Sequence, residues 1–200
     1  FKTKIPDETH ALDLSIGFEG IYSRWTKGHA SAARKARKVG VEIIIAKTRE
    51  DWENYYRVYE DSLIRWGENT TSVYTWNLFE IIFKRASPNI KLWLARFDGS
   101  VIACALCFYS PSHVVYWHGA ALSSYFKIRP VNLLMYEIIR HAAENKFKWF
   151  DFNPSGGHEG VKAFKRNFGT IPLSCDVITA VSLKTRLISR IAQLRNYILR

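Results

Sequence analysis

Lys91–Phe97, the pair Asp98-Gly99 and Val101–Tyr109 narrow the fold more than any other part of this sequence. Two apolar runs joined by Asp-Gly form a β-hairpin signal, because a two-residue hairpin turn needs left-handed backbone that few residues adopt cheaply. A third run, His113–Ala121, extends the hairpin into an antiparallel meander, with Tyr116 and His118 expected on one face and Trp117 and Gly119 on the other. Helical periods flank the meander. Trp52, Tyr56, Tyr59 and Leu63 mark a helix of roughly 16 residues that stops at Gly67. Trp76, Phe79, Ile82 and Phe83 mark another, closed before Pro88, and Pro130 opens a third that runs to Asn145. Ala30–Val39 reads as a helix ending at Gly40, Val41–Lys47 as a strand, Ala11–Ile16 as a short strand, and Leu173–Val181 as the closing strand. The fold class is therefore α/β (α+β), a mixed and mostly antiparallel sheet flanked by helices. With 48% apolar residues and seven Trp in 200 residues, one good-sized globular domain is expected.

The chemistry is expected around residues 147–169. Lys148–Phe152 reads as a buried strand, Asn153–Gly157 as a turn with paired glycines, and the stretch from His158 as a short helix. In that helix Val161, Phe164 and Phe168 fall on one face, with Gly169 as its C-cap. Lys165 is expected at the border of the buried face, its stem on apolar surface and its ammonium in a cleft, where it meets a developing oxyanion. The bland alternative is a solvent-facing lysine, and Phe164 reads as core that lines the site only secondarily. Asp151 orients the turn or takes part in proton transfer. His118 reads first as a satisfied core histidine and second as a base, and is carried forward as a substrate contact.

The net charge of +11 is concentrated. Lys27–Lys38 carries five cations and no acid, and Lys184–Arg200 carries five more. Such clusters suit a polyanion or an anionic membrane surface, and equally a solvated basic face. In the second cluster Leu187, Ile191, Leu194 and Ile198 form an apolar stripe, which reads as a basic amphipathic helix docked on protein or lying at a membrane surface. Residues 1–40 read as a lead-in segment, 41–183 as the main domain and 184–200 as this terminal helix. A chain that begins at Phe1 and holds only Met135 is expected to lack an upstream domain. The three cysteines are read as reduced and structural, Cys104 and Cys107 pointing to opposite faces of one strand. No run of about 18 apolar residues is present to span a membrane, and the expected setting is the cytoplasm, free or peripheral at the inner face of the membrane.

The order of elements resembles the GNAT acyltransferase fold. Arg34-Lys35-Ala36-Arg37-Lys38-Val39-Gly40-Val41 resembles an element of the Fem family (FemAB-like), the aminoacyltransferases that build peptidoglycan interpeptide bridges. Tyr59 with Arg65-Trp66-Gly67, Ala95–Ala103, Tyr116–Ala120, and Asp151 through Phe164-Lys165-x-x-Phe168-Gly169 follow in the family's order, from about residue 17 to residue 170. The resemblance implies the second of two GNAT-like domains, with aminoacyl-tRNA as donor, no bound cofactor, and an amine of a nucleotide- or lipid-linked muropeptide as acceptor. It implies a catalytic role for Lys165 with Phe164 and a precursor-phosphate contact by Arg65, while Arg34 and Lys38 from the basic cluster and His118, Asp151 and Gly157 around the turn are read from the residues themselves as further substrate contacts. A related GNAT branch tied to exopolysaccharide synthesis keeps a second reading open, CoA-dependent N-acyl transfer to a sugar precursor. A third is a non-catalytic GNAT-like domain that binds RNA or membrane.

Acetyl-CoA sites of the GNAT kind use a glycine-rich loop whose amides hold pyrophosphate at a helix N-terminus. The stretch here, Lys127-Ile128-Arg129-Pro130-Val131-Asn132, has no glycine, and Pro130 has no amide hydrogen. His158-Glu159-Gly160-Val161-Lys162 puts lysine where a zinc-protease helix needs its second histidine, so no metal is expected. No Gly-x-Ser-x-Gly elbow occurs.

Overall fold

In the computed structural model, which describes residues 2–70 and 72–180, the chain runs β1 (Lys2–Asp13), α1 (Gly17–Tyr22), α2 (Lys27–Lys38), β2 (Glu42–Ile45), α3 (Arg49–Trp66) and α4 (Trp76–Lys84). The meander follows as β3 (Ile90–Phe97), β4 (Ser100–Tyr109) and β5 (His113–Ala121), then α5 (Pro130–Glu144), β6 (Trp149–Asp151), α6 (Glu159–Arg166) and β7 (Ile171–Ala180). The strands form one sheet in the order β2-β3-β4-β5-β6-β1-β7. Every pairing is antiparallel except β5 with β6. A parallel pair needs a crossover, and α5 supplies it.

The turn at Asp98-Gly99 takes positive φ at both positions, 49° and 72°, as a type I′ hairpin demands. β4 is buried from Val101 through Cys107 because helices cover both faces of the sheet. One core gathers Trp25, Ala36, Ala103, Ala105, Cys107, Leu134, Ile138 and Phe150 beneath the α1, α2 and α5 side. The other gathers Trp52, Tyr55, Tyr59, Phe79, Leu94, Cys104 and Leu106 beneath α3 and α4. Cys104 and Cys107 thus do face opposite ways. α3 begins earlier than its aromatic stripe suggests, on a capping box in which Thr48 and Asp51 exchange side-chain-to-backbone bonds.

Two expectations change. The first forty residues are not peripheral to the sheet: β1 is twelve residues long, lies between β6 and β7, and pairs with β7 from Lys2 through Ala11, while α2 packs along α5. The alternation along β5 is also broken. Leu106 faces His118 while Cys107 faces Tyr116, so Trp117 is an extra, bulged residue. Tyr116 turns to the α5 side and reaches Phe152, whereas Trp117 and His118 both join the aromatics of α3 and α4. Tyr116 and Gly119 consequently share a face. The terminal helix expected at 184–200 lies outside the described residues. Among the described residues no helix is long and apolar enough to cross a membrane.

Candidate active site

β5 and β6 pair over three residues only, His113–Val115 against Trp149–Asp151. Beyond them β5 continues to Ala121, while the other chain turns away through Asn153, Gly156 and Gly157, at φ 63°, 55° and 80°. Left-handed backbone is cheap for glycine and tolerable for asparagine, which is why this sequence turns here. The divergence opens a cleft of about 960 Å³. Trp66 and Tyr74 line it from α3 and the loop after it, and Trp117, His118 and Gly119 line it from β5. Asn153, Pro154, Gly156, Gly160 and Val161 line it from the turn and α6, and Asp7 and Val177 from the terminal strands.

Asp151 builds the turn. Its Oδ1 accepts from the Asn153 amide at 2.7 Å and from the Thr9 hydroxyl, and its Oδ2 lies 3.6 Å from His113 Nε2. It is not among the side chains lining the cleft, so of its two expected roles the geometry displays the orienting one.

Lys165 is 4% exposed, and its Nζ donates to the Asn153 carbonyl at 2.5 Å. The expectation that its ammonium points into the cleft is corrected: it is turned onto the backbone of Asn153, a residue of the cleft wall, and Lys165 is not among the lining residues. α6 is rolled relative to its apolar stripe, with Val161 42% exposed at the cleft and Lys165 inside. The Asn153 carbonyl and the nearby acids Asp151 and Asp7 make that burial tolerable. Burial lowers the amine from 10.5 to about 8, opposed by those two carboxylates. Phe164 is half-buried, edge-on to Phe168 at 5.0 Å and near the His29 ring.

The remaining expected contacts are dispersed. Arg65 donates to the Ala121 carbonyl at 2.9 Å and lies over the Phe126 ring, holding the end of β5 beside the cleft. Gly157 belongs to the turn. Arg34, bonded to the Tyr22 hydroxyl, and Lys38 are exposed on α2, away from the side chains that line the cleft. At the start of α5, Arg129 is left-handed, Pro130 is the first helical residue, and the Asn132 amide is bonded to the Arg129 carbonyl. The α5 N-terminus therefore offers few free amides to a pyrophosphate.

Sequence reasoning missed Tyr55, the aromatic wall of Trp66 and Tyr74, and Asp7. Tyr55 was findable, since it stands three residues after Trp52 on the same helical face. Asp7 was not, because its place depends on the long pairing of β1 with β7.

A model of the acetyltransferase (GNAT) domain matches residues 24–166. Among solved structures, FemX superposes with a TM-score of 0.72 at 13% identity, over 92% of this chain and 63% of its own length. The C-terminal domain of a putative lysylphosphatidylglycerol synthetase from Agrobacterium fabrum gives 0.66 at 12% identity, over 97% of this chain and 66% of that one. A GCN5-related N-acetyltransferase from Kribbella flavida gives 0.52 at 15% identity, over 88% and 58%. No curated protein matches in sequence. At these identities the superpositions speak for the fold, and the chain spans about two thirds of the length of the first two structures.

Proposed function

The chain belongs to the acetyltransferase (GNAT) domain family, and on that premise we propose that this GNAT-fold acyltransferase moves an aminoacyl group from aminoacyl-tRNA to an amine of a cell-wall precursor. The observation that carries the donor is the α5 N-terminus: Pro130 lacks an amide hydrogen and the Asn132 amide is engaged, so the phosphate cradle of a CoA site is poorly provided. The ordered resemblance to the Fem family supports the same donor. Acyl transfer needs a neutral amine nucleophile, stabilisation of the tetrahedral oxyanion, and a proton for the departing oxygen. The cleft between β5 and β6 gives the aminoacyl ester and the amine a common space beside an aromatic wall, and Lys165 fixes the Asn153 carbonyl and places positive charge behind the opposite wall. The acceptor, a nucleotide- or lipid-linked muropeptide, is part of this reading, with contact at the inner membrane surface as a further element of it. The family model itself favours a second reading, acyl-CoA as donor. Titrating CoA and a pool of aminoacyl-tRNA against the protein tests the choice: saturable tRNA binding without CoA binding is expected, and the reverse overturns it.

The exposed cations of α2 are assigned to phosphates of the tRNA or of the acceptor. In that helix Arg37 is paired with Glu137 at 2.8 Å, which leaves Arg34 and Lys38 as the better contacts. Neutralising both should weaken RNA binding and flatten its salt dependence by up to about two charge equivalents on the duplex-DNA scale. A salt slope identical to that of the unaltered protein would remove α2 from the polyanion contact.

A further inference from the structure

We propose that His118 is the hydrogen-bond donor that meets the acyl carbonyl in the cleft, held as its Nε2–H tautomer by the buried phenol of Tyr55. The proposal rests on the acyl-transfer reading above. Its starting point is the bulge. Regular alternation from Tyr116 would send His118 to the α5 side of the sheet, but the extra residue Trp117 sends it toward α3 and into the wall of the cleft. There the imidazole is enclosed by rings: Tyr59 lies edge-on at 4.7 Å, with Tyr74 at 5.8 Å and Phe79 at 5.9 Å.

Nδ1 of His118 meets the hydroxyl of Tyr55, which is fully buried in the core beneath α3. Burial drives the phenol well above its ordinary range, so it keeps its proton. Among the described residues that hydroxyl has no second acceptor, so the proton is directed at Nδ1. An imidazole whose Nδ1 accepts is protonated at Nε2, and Nε2 lies across the ring from Tyr55. Burial also lowers the imidazole to about 4, so the ring is neutral at physiological pH. A neutral ring with Nε2–H offers a donor and no free lone pair toward the cleft. His118 is therefore an oxyanion donor and not a general base.

In the step it serves, the amine nitrogen forms a bond to the carbonyl carbon of the aminoacyl ester. The carbonyl π pair moves onto oxygen, which the Nε2–H bond stabilises. The pair then returns as the carbon–oxygen ester bond breaks, and the departing oxygen takes the proton that the amine loses. His118 keeps its own proton throughout.

The test joins spectroscopy with kinetics. Long-range ¹H–¹⁵N spectra of protein labelled at its six histidines should show one ring fixed as the Nε2–H tautomer and neutral down to about pH 5. Tyr55→Phe, which keeps the ring in the core, should convert that signal to a tautomer mixture and lower kcat about tenfold or more, as lost tautomer control does elsewhere. His118→Asn keeps an acceptor near Tyr55 but withdraws the donor, and should cost about a hundredfold in kcat with little change in KM. His118→Gln, whose amide nitrogen reaches toward the Nε2 position, should recover part of that. A His118 ring in the Nδ1–H form, or one titrating near 6.5, overturns the proposal, as does a His118→Asn protein that transfers at near-normal rate. If the unaltered protein transfers from no donor, the proposed function falls and the donor role falls with it. If transfer proceeds and only the His118 variants are silent in effect, this proposal alone falls.

Discussion

Lys165→Ala should lower aminoacyl transfer by about a hundredfold, the scale on which a small misplacement of an active-site wall acts. Two losses combine in this variant. The Asn153 carbonyl loses its donor, so the left-handed turn that forms one wall of the cleft loosens, and the positive charge behind that wall disappears. Lys165→Arg should restore little, since a planar guanidinium does not fit a pocket shaped for an ammonium. A stability measurement separates this buried lysine from a surface one. Folded Lys165 releases its proton at about pH 8, whereas the unfolded chain holds it to about 10.5. Between those values the unfolded state binds more protons, so stability rises with pH there; below about pH 8 the cost of burying charge is present in full. Urea denaturation of the unaltered protein and Lys165→Met should therefore show a difference that shifts toward the unaltered protein from pH 8 to 10.5. A difference independent of pH would place the amine in solvent.

Gly119→Ala should destabilise the fold by about 1–3 kcal/mol, the usual cost of overpacking. The added Cβ would lie 1.8 Å from the Tyr116 hydroxyl oxygen and 2.7 Å from the ring carbon that bears it. Tyr116 has little room to retreat, because its ring meets Phe152 and belongs to the core packing on that side. For a domain of this size the melting temperature should fall by roughly 2–4 °C per kcal/mol. Tyr116→Phe in the Gly119→Ala background should recover only part, since it removes the oxygen and leaves the ring carbon. Unchanged melting in Gly119→Ala would show that Tyr116 does not cross that residue. The effect reaches function as well, because the bulge that seats Tyr116 over Gly119 also turns His118 into the cleft.

The parts of this fold written in local chemistry were legible. Asp98-Gly99 announces its hairpin because few residue pairs accept two left-handed positions, and the aromatic stripes of α3 and α4 repeat at helical spacing. The parts written in distant pairing were not. Lys2–Glu8 is polar and contains Pro6, yet it is strand because β7 supplies its ladder. Nothing in Tyr116-Trp117-His118 marks a bulge, and one unpaired residue reverses the face of every later side chain. The same holds at α6. Its apolar stripe pointed Val161 inward, but a lysine with a carbonyl and two carboxylates near its amine can be buried in preference to an exposed valine beside an open cleft. Lys165, His118, Asp151 and the Gly156-Gly157 turn were each singled out by the sequence; how they face one another required the splay of β5 from β6.

The donor decides the proposed function most directly. Radiolabelled aminoacyl-tRNA, prepared as a mixed pool, and radiolabelled acetyl-CoA are each incubated with the protein and a nucleotide-linked muropeptide, and label covalently transferred to the muropeptide is counted. Label passing from aminoacyl-tRNA and not from acetyl-CoA is the expected result; label passing from acetyl-CoA alone would contradict it.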